Sequence, residues 1–155
     1  MAVDVSIRPA EINDADTIVE FNIRLAQETE DKELNRQTLT QGVQGLLANP
    51  DRGRYFVAVH DGKVVGQLMH THEWSDWRNG DIWWLQSVYV HRDFRRQGIF
   101  KLLLNHLTDL ARNDTGVVGL RLYVERDNSA AQSTYVDLGF ADPGYKVYEV
   151  EFKNS

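Results

Sequence analysis

The chain has 155 residues, enough for one domain with a buried core. Hydrophobic residues make up 42% and charged residues 26%, a balance ordinary for a globular protein that argues against disorder. There is no cysteine, so disulfides, thiolate metal sites and thiol nucleophiles are excluded. The net charge of −6 argues against nucleic acid or an anionic membrane as a partner and favours, weakly, a cationic substrate.

The opening "MAVDVSIRP" has neither the basic start nor the apolar core of a signal peptide, and no apolar run is long enough to span a bilayer. With the absent cysteines this suits a cytoplasmic protein. "VSIRPA" alternates and predicts a first strand. "NDADTIVEFNIRLAQE" predicts a helix capped by Asn13 or Asp14, with Ile18, Phe21, Ile23 and Leu25 at helical spacing. "LNRQTLTQGVQGLLANP" predicts a second helix, weakened by Gly42 and Gly45 and stopped at Asn49-Pro50. "RYFVAVHDGKVVGQLMHTHEW" predicts two strands joined by a hairpin turn at Asp61-Gly62. "DIWWLQSVYV" follows as a strand after the turn signal Asn79-Gly80. A helix after Gly98 leads to the strand "VGLRLYVE". "NSAAQSTYVDLG" is then a helix between an Asn128 cap and Gly139, and the alternating "YKVYEVEF" predicts a final strand. No repeat, low-complexity segment or linker interrupts this order. It predicts one domain over residues 1–155, a mixed α/β layered fold with hairpins in the middle and a crossover around the Gly98 helix.

The bend "FRRQGIF" poses the functional question, because it places cations between a strand and a helix start. A helix N-terminus presents unpaired N–H groups and the positive end of the dipole, which suit a phosphate. Gly98 allows close backbone approach, while Arg95, Arg96 and Lys101 supply charge. A solvated basic turn would explain so short a motif about as well. The pattern is neither the Walker phosphate loop nor the three-glycine dinucleotide fingerprint.

The neighbouring segments carry a resemblance. "SVYV", "HRDFRRQGIF", "LRLYV" and "NSAAQSTYVDLGF" together resemble the GCN5-related N-acetyltransferase (GNAT) family, whose signature Gln/Arg-x-x-Gly-x-Gly/Ala reads here Arg95-Arg96-Gln97-Gly98-Ile99-Phe100. Its later element of Asn, a small residue, Tyr and Gly-Phe is matched by Asn128, Ala131, Tyr135, Gly139 and Phe140. The resemblance runs from about Val5 to Phe152 and departs at Phe100, where Gly or Ala is usual. It implies a mostly antiparallel central sheet with one splayed parallel strand pair and helices on both faces. It also implies acetyl-coenzyme A as acyl donor and no metal. The diphosphate would lie on the N–H groups of Gln97, Gly98, Ile99, Phe100 and Lys101, and the pantetheine arm would pair with Val88, Tyr89 and Val90. Asn128 and Tyr135 would complete the coenzyme side, and homodimers are compatible with the resemblance.

Acetyl transfer to an amine needs a deprotonated amine, a donor to the thioester oxygen and a proton for the departing thiolate. The resemblance gives Tyr135 the last task and the N–H of Val88 or Tyr89 the second. Some relatives carry a glutamate base at the position of Trp84, which this chain lacks. If "QLMHTHEW" and "DIWWLQ" form a hairpin with His70 and His72 across from Trp84 and Ile82, then His70, His72 and Glu73 become base candidates beside Trp84 and Gln86. The acids Glu28, Glu30, Asp31 and Glu33 are candidates to attract an ammonium-bearing acceptor, against the plainer reading of a solvated helix end. For the tryptophans, core packing is expected of Trp83 and Trp84, and exposure of Trp74 and Trp77. A catalytically silent coenzyme-binding module of the same fold stays open as an alternative, as does a different acyl group.

Overall fold

In the computed structural model, which describes residues 3–153, the chain enters its first helix through an ion pair. Strand β1 (Ser6–Pro9) carries Arg8, whose guanidinium donates to both oxygens of Asp14 at 2.8 and 3.0 Å. Asp14 also accepts from the N–H of Glu11 at 2.7 Å, closing the 3-10 turn that starts helix α1 (Ala15–Glu30). The Arg8 hydrogen bond holds the Asp14 carboxyl below the usual carboxylate range, against the effect of burial. Helix α2 (Arg36–Leu47) is capped by Asn35, whose side chain accepts from Thr38 N–H at 2.9 Å.

Three antiparallel strands follow: β2 (Gly53–His60), β3 (Lys63–Ser75) and β4 (Gly80–Val90). The first turn uses Asp61 at φ 48 and Gly62 at φ 77, the two left-handed residues of a tight hairpin. The second pairs Ser75 with Gly80 and places Asn79 at φ 50. Helix α3 (Ile99–Asn113) crosses over to β5 (Val117–Leu122), which is parallel to β4. Among the described residues the sheet is five-stranded, in the order β1-β2-β3-β4-β5.

Strand alternation sends neighbouring residues to opposite faces. Tyr55 lies with Ala15, Ile18, Val19 and Val43 under α1 and α2, whereas Phe56 meets His106 of α3 at a 5.3 Å ring separation. A Cβ placed on Gly66 would come within 3.2 Å of Ile99 and 3.3 Å of Leu103, so the glycine lets α3 pack closely on β3. The expected mixed, mostly antiparallel sheet with one parallel pair and helices on both faces is what these residues build.

The chain divides into two compact units, the second beginning at Tyr123. Its helix α4 (Ser129–Asp137) is capped as expected, the Asn128 side chain accepting from Ala131 N–H at 3.1 Å. Gly139 ends it at φ 97, and the Phe140 N–H returns to the Tyr135 carbonyl at 2.9 Å. Residues 145–152 alternate like a strand but are irregular, with Tyr148 and Phe152 about nine-tenths exposed (89% and 92%). Alternation sets which way side chains point, while a strand also needs an edge to pair with, and this one has no assigned ladder.

Candidate active site

The register of β3 on β4 decides which side chains share a face. Thr71 lies opposite Trp84, His72 opposite Trp83 and His70 opposite Leu85. This is one residue away from the expected pairing of His70 and His72 with Trp84 and Ile82, and a one-residue slip moves every side chain to the other face. The histidines therefore turn toward α3, away from Trp84 and Gln86. His70 is fully buried, stacked 4.1 Å from the Trp83 ring and near Phe56 and His72, and neither ring nitrogen meets a hydrogen-bond partner among the described residues. Burial, and then the charges of Arg54 and His72, push its imidazole down to about 3.

That displacement makes His70 a stability group. Its folded value of about 3 lies below the ordinary 6.5, so the unfolded chain takes up the proton first. The neutral ring's contribution is complete above about pH 6.5 and is lost as pH falls toward 3. Between pH 7 and 4.5 the loss attributable to His70 is about 2–3 kcal/mol. Urea unfolding of wild type and His70→Phe at both pH values should show a smaller acid-induced drop in the variant. Equal drops would remove His70 from the account.

On the α1 face, β3, β4 and β5 bring together Thr71, Glu73, Trp84, Gln86 and Arg121. Glu73 accepts from the Trp84 indole N–H at 2.8 Å through one oxygen and from Arg121 at 2.8 Å through the other. Gln86 Nε2 donates to Thr71 Oγ1 at 2.8 Å. Thr71 and Arg121 were not singled out from sequence, although Arg121 is the one cation within the apolar run "VVGLRL".

Strand β4 bulges beside this group. Gln67 pairs with Tyr89, but the next pair is Met69 with Gln86, so Ser87 and Val88 oppose Leu68 alone. Pairing with β5 stops just before, at Leu85–Leu122. Residues 86–90 of β4 are thus left with no β5 partner, as a splayed parallel pair requires.

The bend follows directly. Arg96 at φ 63 and Gly98 at φ 80 turn the chain into α3, whose first intrahelical bond is Leu102 N–H to Gly98 O at 3.0 Å. The N–H groups of Ile99, Phe100 and Lys101 therefore face beyond the helix start. A Cβ built on Gly98 meets no atom within 4 Å, so this end is open. The donor set and open space fit a diphosphate, and the β4 edge left without a β5 partner fits an amide-bearing arm.

Arg95 is engaged differently from Arg96 and Lys101. Its Nε donates to Val90 O at 3.0 Å, its NH2 to Glu28 at 2.8 Å, and its guanidinium lies 5.2 Å over the Tyr89 ring. The Tyr89 hydroxyl donates to the other Glu28 oxygen at 2.5 Å. Burial alone would raise the Glu28 carboxyl, but these two hydrogen bonds and the charges of Arg95 and Arg92 outweigh it and leave it below the ordinary range. Glu28, an expected acceptor contact, is exposed but engaged by the bend, and Glu30, Asp31 and Glu33 are exposed as well.

This strand, bulge, bend and helix coincide with a sequence match. The model of the acetyltransferase (GNAT) family matches residues 16–140. The chain belongs to the GNAT family. The chain of a possible acetyltransferase from Clostridium difficile 630 is 47% identical and superposes with a TM-score of 0.91, over 97% of this chain and 99% of that one. A predicted acetyltransferase with acetyl-CoA from Clostridium acetobutylicum shares the fold at 18% identity and a TM-score of 0.79, over 95% and 96% of the two chains. The [Ribosomal protein bS18]-alanine N-acetyltransferase of Salmonella typhimurium (strain LT2) is 43% identical over 56 residues, covering 36% of this chain and 37% of that relative's length. Family and relatives support an N-acetyltransferase. No helix among the described residues is long and apolar enough to cross a membrane, and none of their His, Asp and Glu side chains cluster as a metal site.

Proposed function

We propose that the protein transfers an acetyl group from acetyl-coenzyme A to a primary, cationic amine by direct attack in a ternary complex. The observation that carries this is the bulge of β4 running straight into the open, glycine-turned start of α3. Together they offer backbone donors along one continuous track. The nucleophile is the free amine: its nitrogen bonds to the thioester carbonyl carbon, the carbon–sulfur bond breaks, and the sulfur leaves as thiolate. Val88 or Tyr89 N–H stabilises the charge developing on the carbonyl oxygen. Tyr135 supplies the thiolate proton. Burial raises its phenol above the ordinary value, so it stays protonated at neutral pH.

For the amine proton the reading rests on Glu73 rather than on His70, which is buried on the opposite face. Trp84 stands at the position where the resemblance gives some relatives a glutamate, and Glu73 from the adjacent strand lies 2.8 Å from its indole nitrogen. A carboxylate is thus supplied to the same face by another strand, which weakens the case for a catalytically silent module. Each Glu73 oxygen keeps a lone pair beyond those used by Trp84 and Arg121.

The test is thiol release from acetyl-coenzyme A with a panel of spermidine, butylamine, neutral and acidic amines, and a peptide with an N-terminal alanine. The alanine peptide is included because of the Salmonella relative's substrate. Turnover only with neutral or acidic acceptors would overturn the cationic assignment. With a cationic acceptor, raising salt should raise the acceptor KM several-fold while leaving kcat nearly constant, because exposed charges such as Glu30 and Glu33 are screened.

A further inference from the structure

We propose that Gln67 is a positioning residue for acetyl transfer, pinning the β4 bulge so that the Val88 N–H is held in its working direction; this rests on the function proposed above. Gln67 is fully buried in β3, and its Nε2 donates to the Ser87 carbonyl at 3.0 Å. Its Oε1 is buried without a hydrogen-bond partner among the described residues, which costs stability. An apolar side chain of the same length would fill this place without that cost. What the glutamine adds is the one bond to Ser87.

Ser87 needs such a bond. Among the described residues it is the only non-glycine residue inside a strand with left-handed φ, at 52°. A serine holds that conformation only where its surroundings impose it. Elsewhere on the α1 face, the buried Tyr55 hydroxyl accepts from Asn22 Nδ2 at 3.2 Å.

The peptide plane carries the consequence. Ser87 C=O and Val88 N–H belong to one rigid trans unit and point in opposite directions. Fixing the carbonyl on Gln67 therefore directs the Val88 N–H away from it and stops the plane from rocking. A donor fixed before the reaction stabilises developing charge without reorganising. The same bulge lets Gln86 and Tyr89, three residues apart, both pair with β3 residues of the α1 face.

The test compares wild type, Gln67→Met, and Gln67→Met with Ser87→Gly. Kinetics use acetyl-coenzyme A with the best amine of the panel, and amide exchange at Val88 is followed by NMR in the absence of ligand. Gln67→Met should lower kcat roughly 10–100-fold with the amine KM nearly unchanged, and speed exchange at Val88 relative to β2 amides. Adding Ser87→Gly should recover part of the lost kcat, because glycine takes left-handed φ without a pin. Wild-type kcat in Gln67→Met, or a loss that glycine does not relieve and that comes without faster Val88 exchange, would overturn the proposal while leaving the acetyltransferase reading intact. If the wild type itself released no thiol with any amine, the reading of function would fall and the positioning role with it.

Discussion

Gly98→Asp should weaken coenzyme A binding severely while leaving the protein folded. Gly98 sits at φ 80 at the start of α3, and a Cβ there meets nothing within 4 Å. The substitution is therefore free of clashes and costs only backbone strain, about 1–2 kcal/mol, for which aspartate is among the more tolerant residues. Its carboxylate, however, would stand where the N–H groups of residues 99–101 are read as meeting the diphosphate. One charge pair at about 4 Å is worth about 4 kcal/mol near a protein surface, and about 1.4 kcal/mol is tenfold in affinity. Allowing for solvent at this exposed bend, affinity should fall at least roughly a hundredfold. Calorimetry with coenzyme A, beside a thermal unfolding curve, reads both effects. Gly98→Ala carries comparable strain without the charge, so its smaller loss would attribute the effect to electrostatics. Wild-type affinity in Gly98→Asp would move the diphosphate elsewhere.

The features that could be read from sequence are the ones whose causes are local. Asp61-Gly62 places its turn because both residues accept left-handed φ, Asn79-Gly80 because Asn79 does, and Asn128 caps because its side chain accepts from the N–H three residues on. Gly98 marked the bend for the same reason. The bulge left no such mark. Ser87 and Val88 look like ordinary strand residues, and the hydrogen bond to the Ser87 carbonyl comes from Gln67, 20 residues back in the chain. Hairpin alternation alone fits two registers one residue apart and leaves the face of His70 open; the structure pairs Ser75 with Gly80 and hence His70 with Leu85. Glu28 stood out as one acid among several. Its partners Tyr89 and Arg95 lie 61 and 67 residues on, a pairing that tertiary packing alone creates.

Tyr135→Phe should keep the fold and the coenzyme affinity but lower kcat. The residue lies in α4, its ring edge-on to Phe140 at a 5.5 Å centroid separation. Phenylalanine keeps that ring and loses only the hydroxyl. If the hydroxyl protonates the departing thiolate, its removal takes away a general acid, typically worth about 10²–10⁴-fold. A thiolate leaves readily even without a proton, so the loss should fall near the lower end of that range. The pH profile carries a second, independent expectation. Burial raises the phenol above its ordinary 10.0, and the acid works only while protonated. The wild-type rate should therefore hold through neutral pH and decline only at alkaline pH beyond that ordinary value. The phenylalanine variant, having no phenol to ionise, should lack that decline. Acetyl transfer measured from pH 7 upward, with coenzyme affinity followed in parallel, separates this from a packing effect. A packing defect would weaken binding or stability and leave the shape of the profile alone. Wild-type kcat with an unaltered profile would return Tyr135 to the helix as a packed aromatic, with the thiolate leaving unprotonated or drawing its proton from water.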